Sequence, residues 1–101
     1  MSAARQLARL YDQYVAAVRS DDQVTAGAFA AWLGTFWDVG TPEPRGEPAA
    51  VSLLGGVGRG IAWYDTGTHV VGYVRGWQRR GCYQVPNAEF DRSHQPFPIA
   101  A

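Results

Sequence analysis

A chain of 101 residues with 47% apolar and 13% aromatic side chains has enough material for one packed core and too little for two. Its nine basic and nine acidic residues cancel, which removes the broad positive field of a polyanion-binding protein and the acidic surface of a nucleic-acid mimic. Every basic residue is Arg, and a chain without Lys has neither a Schiff-base lysine nor a phosphate-loop lysine.

Residues 2–20 read as an amphipathic helix. Leu7, Leu10, Tyr11, Tyr14 and Val18 recur at helical spacing, Ser2 is placed to cap the start, and Arg5, Arg9, Asp12 and Arg19 fall on the other faces. The same N-terminal stretch contains Asp12 and lacks the continuous apolar core of a signal peptide. Ser20-Asp21-Asp22 forms a polar break suited to a turn and a new cap. A second helix is expected to run to Val39 on a stripe of Phe29, Trp32, Leu33, Phe36 and Trp37, with Gly40 as its stop. The short connection predicts an antiparallel helical hairpin over 2–39.

Residues 41–48, TPEPRGEP, form a Pro-rich linker whose three prolines forbid a regular helix or a central strand. Beyond it the periodicity changes. A β-meander over 50–85 is expected, with strands at Ala50–Leu54, Val57–Tyr64, Thr68–Trp77 and Gly81–Val85. Asp65-Thr66-Gly67 is the hairpin signal, because Asp opens a turn and Gly accepts positive φ. Residues 86–101 form a Pro-punctuated tail. The pattern as a whole predicts a single α+β domain: a two-helix hairpin packed on a three- or four-stranded, mainly antiparallel sheet.

A three-residue loop at 65–67 would pair Trp63 with His69, Ile61 with Val71 and Arg59 with Tyr73. One face would then carry Arg59, Trp63, His69, Tyr73, Arg75 and Trp77, with Arg79 and Arg80 just beyond it. The other would carry Gly58, Gly60, Ala62, Tyr64, Val70, Gly72, Val74 and Gly76, small enough for the helices to approach. The aromatic–Arg face is accordingly expected to point outward and to act as a partner-binding surface, since Trp, Tyr and Arg dominate binding hot spots. The same residues can stack on unpaired bases and neutralise phosphates. A sheet this small can also bury both faces, with Arg stems covering the aromatics.

Catalytic and metal constellations are weak. Gly55-Gly56-Val57-Gly58-Arg59-Gly60 lacks the spacing of a phosphate loop and leads into a strand. The single cysteine, Cys82, rules out an intramolecular disulfide and suits a reducing cytoplasm. Cys82, His69 and His94 match no ligand spacing and fall short of a closed zinc site even with Asp91. Asp65 with Glu89 or Asp91 is no better than chance as an acid–base pair. No cofactor or metal is expected, and no apolar run approaches a membrane span.

The sequence therefore points to a small, non-enzymatic, cytoplasmic interaction module. An inhibitor or adaptor of the bacterial or phage type, binding a larger protein partner through the aromatic–Arg face, is the first reading, and a homodimer is compatible with it. RNA or single-stranded DNA binding through the same face is the alternative, and a small hydrolase or transferase is third.

Overall fold

The computed structural model describes residues 2–53, 60–75 and 80–88. Helix α1 (Ala3–Arg19) begins where Ser2 Oγ accepts the Arg5 amide at 3.2 Å, and the Ser20 hydroxyl donates to Ala16 O at its end. Asp21 takes a left-handed φ of 61°, which turns the chain sharply. Asp22 then caps α2 (Gln23–Gly34) by accepting the Thr25 amide at 3.1 Å. The polar break thus supplies both the turn and the second cap.

Two helical expectations are corrected in detail. The buried side of α1 is Ala4, Leu7, Ala8 and Tyr11, whereas Val18 is 54% exposed. Alanines replace larger residues there because α1 lies directly on the sheet, against the strands described below. The second helix stops at Gly34 rather than Val39. Phe29 and Leu33 are buried, but Trp32, Phe36 and Trp37 are only half-buried. Trp37 leaves the helix to start β1 (Trp37–Asp38), because pairing with the sheet outweighs the helical spacing of the aromatics.

Four further strands follow: β2 (Ala50–Leu53), β3 (Gly60–Asp65), β4 (His69–Arg75) and β5 (Cys82–Pro86). They form one antiparallel five-stranded sheet in the order β1-β5-β4-β3-β2, with the two helices on one face. The fold is α+β, with five strands where three or four were expected. The added strand, β1, is the two-residue segment whose aromatic spacing resembled helix. α1 packs on β2, β3 and β4, while α2 packs chiefly on α1.

The β3–β4 hairpin closes at Asp65↔Val70, and Thr66 N donates to His69 O at 3.0 Å. Gly67 has φ 89° and donates its amide to Asp65 Oδ1, so the Asp and Gly play the turn roles expected of them. The loop is longer than the three residues expected, however. Trp63 pairs with Gly72 and not with His69, an odd shift in register that turns Ile61 and Trp63 of β3 to the helix side and leaves β4 facing as expected. Trp63, Ile61, Val70, Val74 and Val85 lie beneath the helices with Leu7, Tyr11 and Phe29. Ala62, Tyr64, Val71, Tyr73 and Cys82 form a second cluster on the opposite face.

That second face is also covered. β1 and β2 are at opposite edges, so the connection between them must cross the sheet. It does so away from the helices: Gln84 Nε2 donates to Thr41 Oγ1, and Tyr64 Oη donates to Glu43 Oε1 at 2.9 Å. Prolines suit this strap because it makes no ladder bonds, and its crossing explains why Tyr64 and Val71 are buried at the centre of a one-layer sheet.

Candidate functional site

Among the described residues, those expected to form one recognition face do not all share one, because Trp63 lies on the helix side and Tyr73 on the other. Trp63 is fully buried under α1 and contacts Tyr11 with a ring separation of 5.9 Å. Its indole Nε1 donates to Ser52 Oγ at 3.0 Å. Tyr73 and Arg75 lie on the strap side, where Arg75 forms an ion pair with Glu43 and donates to Tyr64 Oη at 3.2 Å. His69 sits at the hairpin loop with Nδ1 3.0 Å from Thr68 Oγ1, and Arg80 is exposed. Arg59, Trp77 and Arg79 lie outside the described residues, as do His94, Glu89, Asp91 and most of the Gly55–Gly60 run.

Electrostatics on the strap side serve to hold it down. The Arg75 guanidinium, by hydrogen bonding, keeps Glu43 below the usual carboxylate range. The Thr41 hydroxyl and the Gly40 amide do the same for Asp38. Burial pushes the Cys82 thiol up, so the thiolate needed for nucleophilic chemistry is disfavoured. His69 pairs with Pro86 and Tyr73 with Cys82, which sets the backbone positions of the histidine and the cysteine about 13 Å apart along the strands. No group of three metal-ligating side chains converges among the described residues. Nor, among them, is any helix long and apolar enough to cross a membrane.

Among the described residues a recess lies elsewhere, between α1 and the outer edge of β2. It has a volume of about 260 Å³ and is lined by Arg5, Arg9 and Asp12 on one wall and Ala49, Ala50 and Val51 on the other, with Ala8 at its base. Two bonds fix its geometry: Arg5 Nε donates to Ala49 O at 3.4 Å, and Ser52 Oγ donates to Ala8 O at 3.2 Å. Because position 5 meets 49 and position 8 meets 52, α1 and β2 run in the same direction. β2 is the last strand of the sheet, so among the described residues its outer row of N–H and C=O groups faces no strand. Val51, 56% exposed, projects on the strap side of that edge, while the Arg row stands on the helix side.

The helical spacing puts Arg5 and Arg9 on faces away from the apolar stripe, with nothing to mark a strand beside them. A signal was present nonetheless. Two Arg at i, i+4 repel, and Arg5 in the first turn opposes the macrodipole, with no acidic residue in that turn to offset it. Like charges one turn apart, the first of them at the less favourable end of the helix, are an arrangement that local helix stability does not select. No protein-family model, curated protein or solved structure matches the chain.

Proposed function

We propose that this chain is a non-enzymatic protein-interaction module, an inhibitor or adaptor, that takes an extended segment of its partner onto the outer edge of β2. The observation that carries the reading is the recess itself: a strand edge unpaired among the described residues and walled on one side by Arg5, Arg9 and Asp12, the arrangement by which a sheet gains a strand from another chain. Main-chain hydrogen bonds supply the affinity in this mode, and the side chains of the walls supply the selectivity.

Three further features favour this reading over its alternatives. Arg75 is engaged by Glu43, which draws it away from phosphate, and Trp63 is committed to the core rather than available for base stacking. The buried Cys82 thiol, with its raised pKa, is a poor nucleophile. Affinity capture from native lysate, with and without nuclease, followed by hydrogen exchange of the captured complex, tests the proposal. A nuclease-insensitive protein that protects the amides of 49–53 is the expected result. Loss of the captured material on nuclease treatment, or protection confined to other elements, would overturn it.

A further inference from the structure

We infer that the segment received at β2 is acidic and alternating, with carboxylates at every second position facing Arg5 and Arg9 and apolar side chains between them facing Val51. The inference rests on the strand-addition reading above and names the chemistry of its partner. It follows from the twofold period of a strand: successive side chains of an added strand point to opposite faces of the sheet. On the helix side they meet the wall formed by Arg5, Arg9 and Asp12, and on the strap side they meet the exposed Val51.

Charge decides the identity of the first set. The wall carries two guanidinium groups against one carboxylate. Arg5 is partly used by the Ala49 carbonyl, whereas Arg9 is exposed and makes no hydrogen bond or ion pair among the described residues. A partner carboxylate would relieve the repulsion between Arg5 and Arg9 and would sit near the positive end of the α1 dipole. The order along α1 adds polarity. Arg5 is at the Ala49 end and Asp12 lies two turns beyond, so the acidic positions belong beside Arg5 and Arg9, with a neutral or basic residue toward Asp12.

Edge-to-edge pairing with the β2 strand of a second copy is disfavoured by the same chemistry. β2 with its preceding residue reads AAVSL and carries no carboxylate to offer Arg9.

The test uses capped, fluorescent peptides alternating valine with glutamate, with threonine or with lysine, read by anisotropy and by amide shifts in the full chain. The glutamate peptide is expected to bind with affinity about tenfold or more above the threonine peptide, and to shift the amides of 49–53. Raising salt should narrow that gap. Arg9→Glu should reverse the order in favour of the lysine peptide, and Arg9→Gln should flatten it. Neither substitution removes a contact of the fold, and thermal melts check this directly.

Equal binding of the threonine and glutamate peptides, with shifts still at 49–53, would overturn the acidic preference and leave strand addition standing. Failure of every peptide to shift those amides would overturn both. Self-association of Arg9→Glu through 49–53 would also overturn the inference, because Arg9 would then act as a guard against edge pairing.

Discussion

Trp63 lies over the backbone of Gly72, its cross-strand partner: a Cβ at position 72 would fall 2.4 Å from Trp63 Cζ3 and 2.7 Å from Cε3. The absence of a side chain on β4 thus makes room for the largest side chain of the core. Trp63 is fully buried against Tyr11, so the indole cannot swing away without disturbing α1. Gly72→Ala should destabilise the fold by about 1–3 kcal/mol, as overpacking does in a dense core. In a Trp63→Phe background the same change should cost clearly less, since the contacted ring atoms are gone. Denaturant melts of the four proteins in this cycle measure the coupling, and strict additivity would show that the two residues do not constrain each other.

Ser52 connects the same indole to the helix. Its hydroxyl accepts from Trp63 Nε1 at 3.0 Å and donates to Ala8 O at 3.2 Å, and the residue is 1% exposed. Ser52→Ala removes both bonds and leaves a buried indole N–H unpaired. A loss of about 1–3 kcal/mol is expected, larger than for a surface serine. A urea melt reads it directly, and an unchanged midpoint would mean that the indole finds another acceptor.

Most elements were legible in the sequence, and the face of β3 was not. Ser2, Asp22 and the Asp65–Gly67 turn announce themselves through capping and turn chemistry, which acts over a few residues. Register depends on loop length, and the odd shift puts β3 on the opposite face from the one expected, while Val70 and Val74 of β4 stay on the helix side as expected. A local pattern cannot specify this, because Ile61, Trp63, Tyr64 and Val71 are apolar on both sides of the sheet. The strap explains why: with 41–48 laid across the second face, neither face of β3 needs polar residues, and the alternation that would mark an outward side is missing. The β2 edge was hidden for a related reason. Arg5 and Arg9 read as ordinary solvent-facing residues until the strand that runs beside them is placed.

α2 bears on stability in a different way. Gly27 lies in its interior, is exposed, and has nothing within 4 Å of where a Cβ would stand. Its φ is not in the left-handed region, so no backbone requirement is met by glycine there. Gly27→Ala should therefore stabilise the isolated chain by about 0.5–1 kcal/mol, mainly by reducing the freedom of the unfolded state. Thermal and chemical melts check the sign. A destabilising result would mean that position 27 is packed against something in solution, and sedimentation velocity would then show whether that is a second copy.

The last prediction concerns the strap and its dependence on pH. Glu43 is held below its ordinary range chiefly by hydrogen bonding to Arg75, and Asp38 chiefly by hydrogen bonding to the Thr41 hydroxyl. Both carboxyls are thus harder to protonate in the folded chain than in the unfolded one, where Glu and Asp titrate near about 4.3 and 3.9. The unfolded state therefore binds more protons in acid, and stability rises with pH through that window. The contribution is fully present above about pH 5 and is lost as pH falls through the lower, folded values. Glu43→Gln should make the acid limb of the stability profile shallower while leaving the neutral limb parallel to that of the wild type. Hydrogen exchange should localise the effect, with the amide of Gly40 and the buried amides around Tyr64 and Val71 exchanging faster and those of α1 unchanged. An acid limb identical to the wild type would show that the Glu43–Arg75 pair does not hold the strap, and the cover of the second face would then have to be credited to Asp38, Thr41 and Gln84 alone.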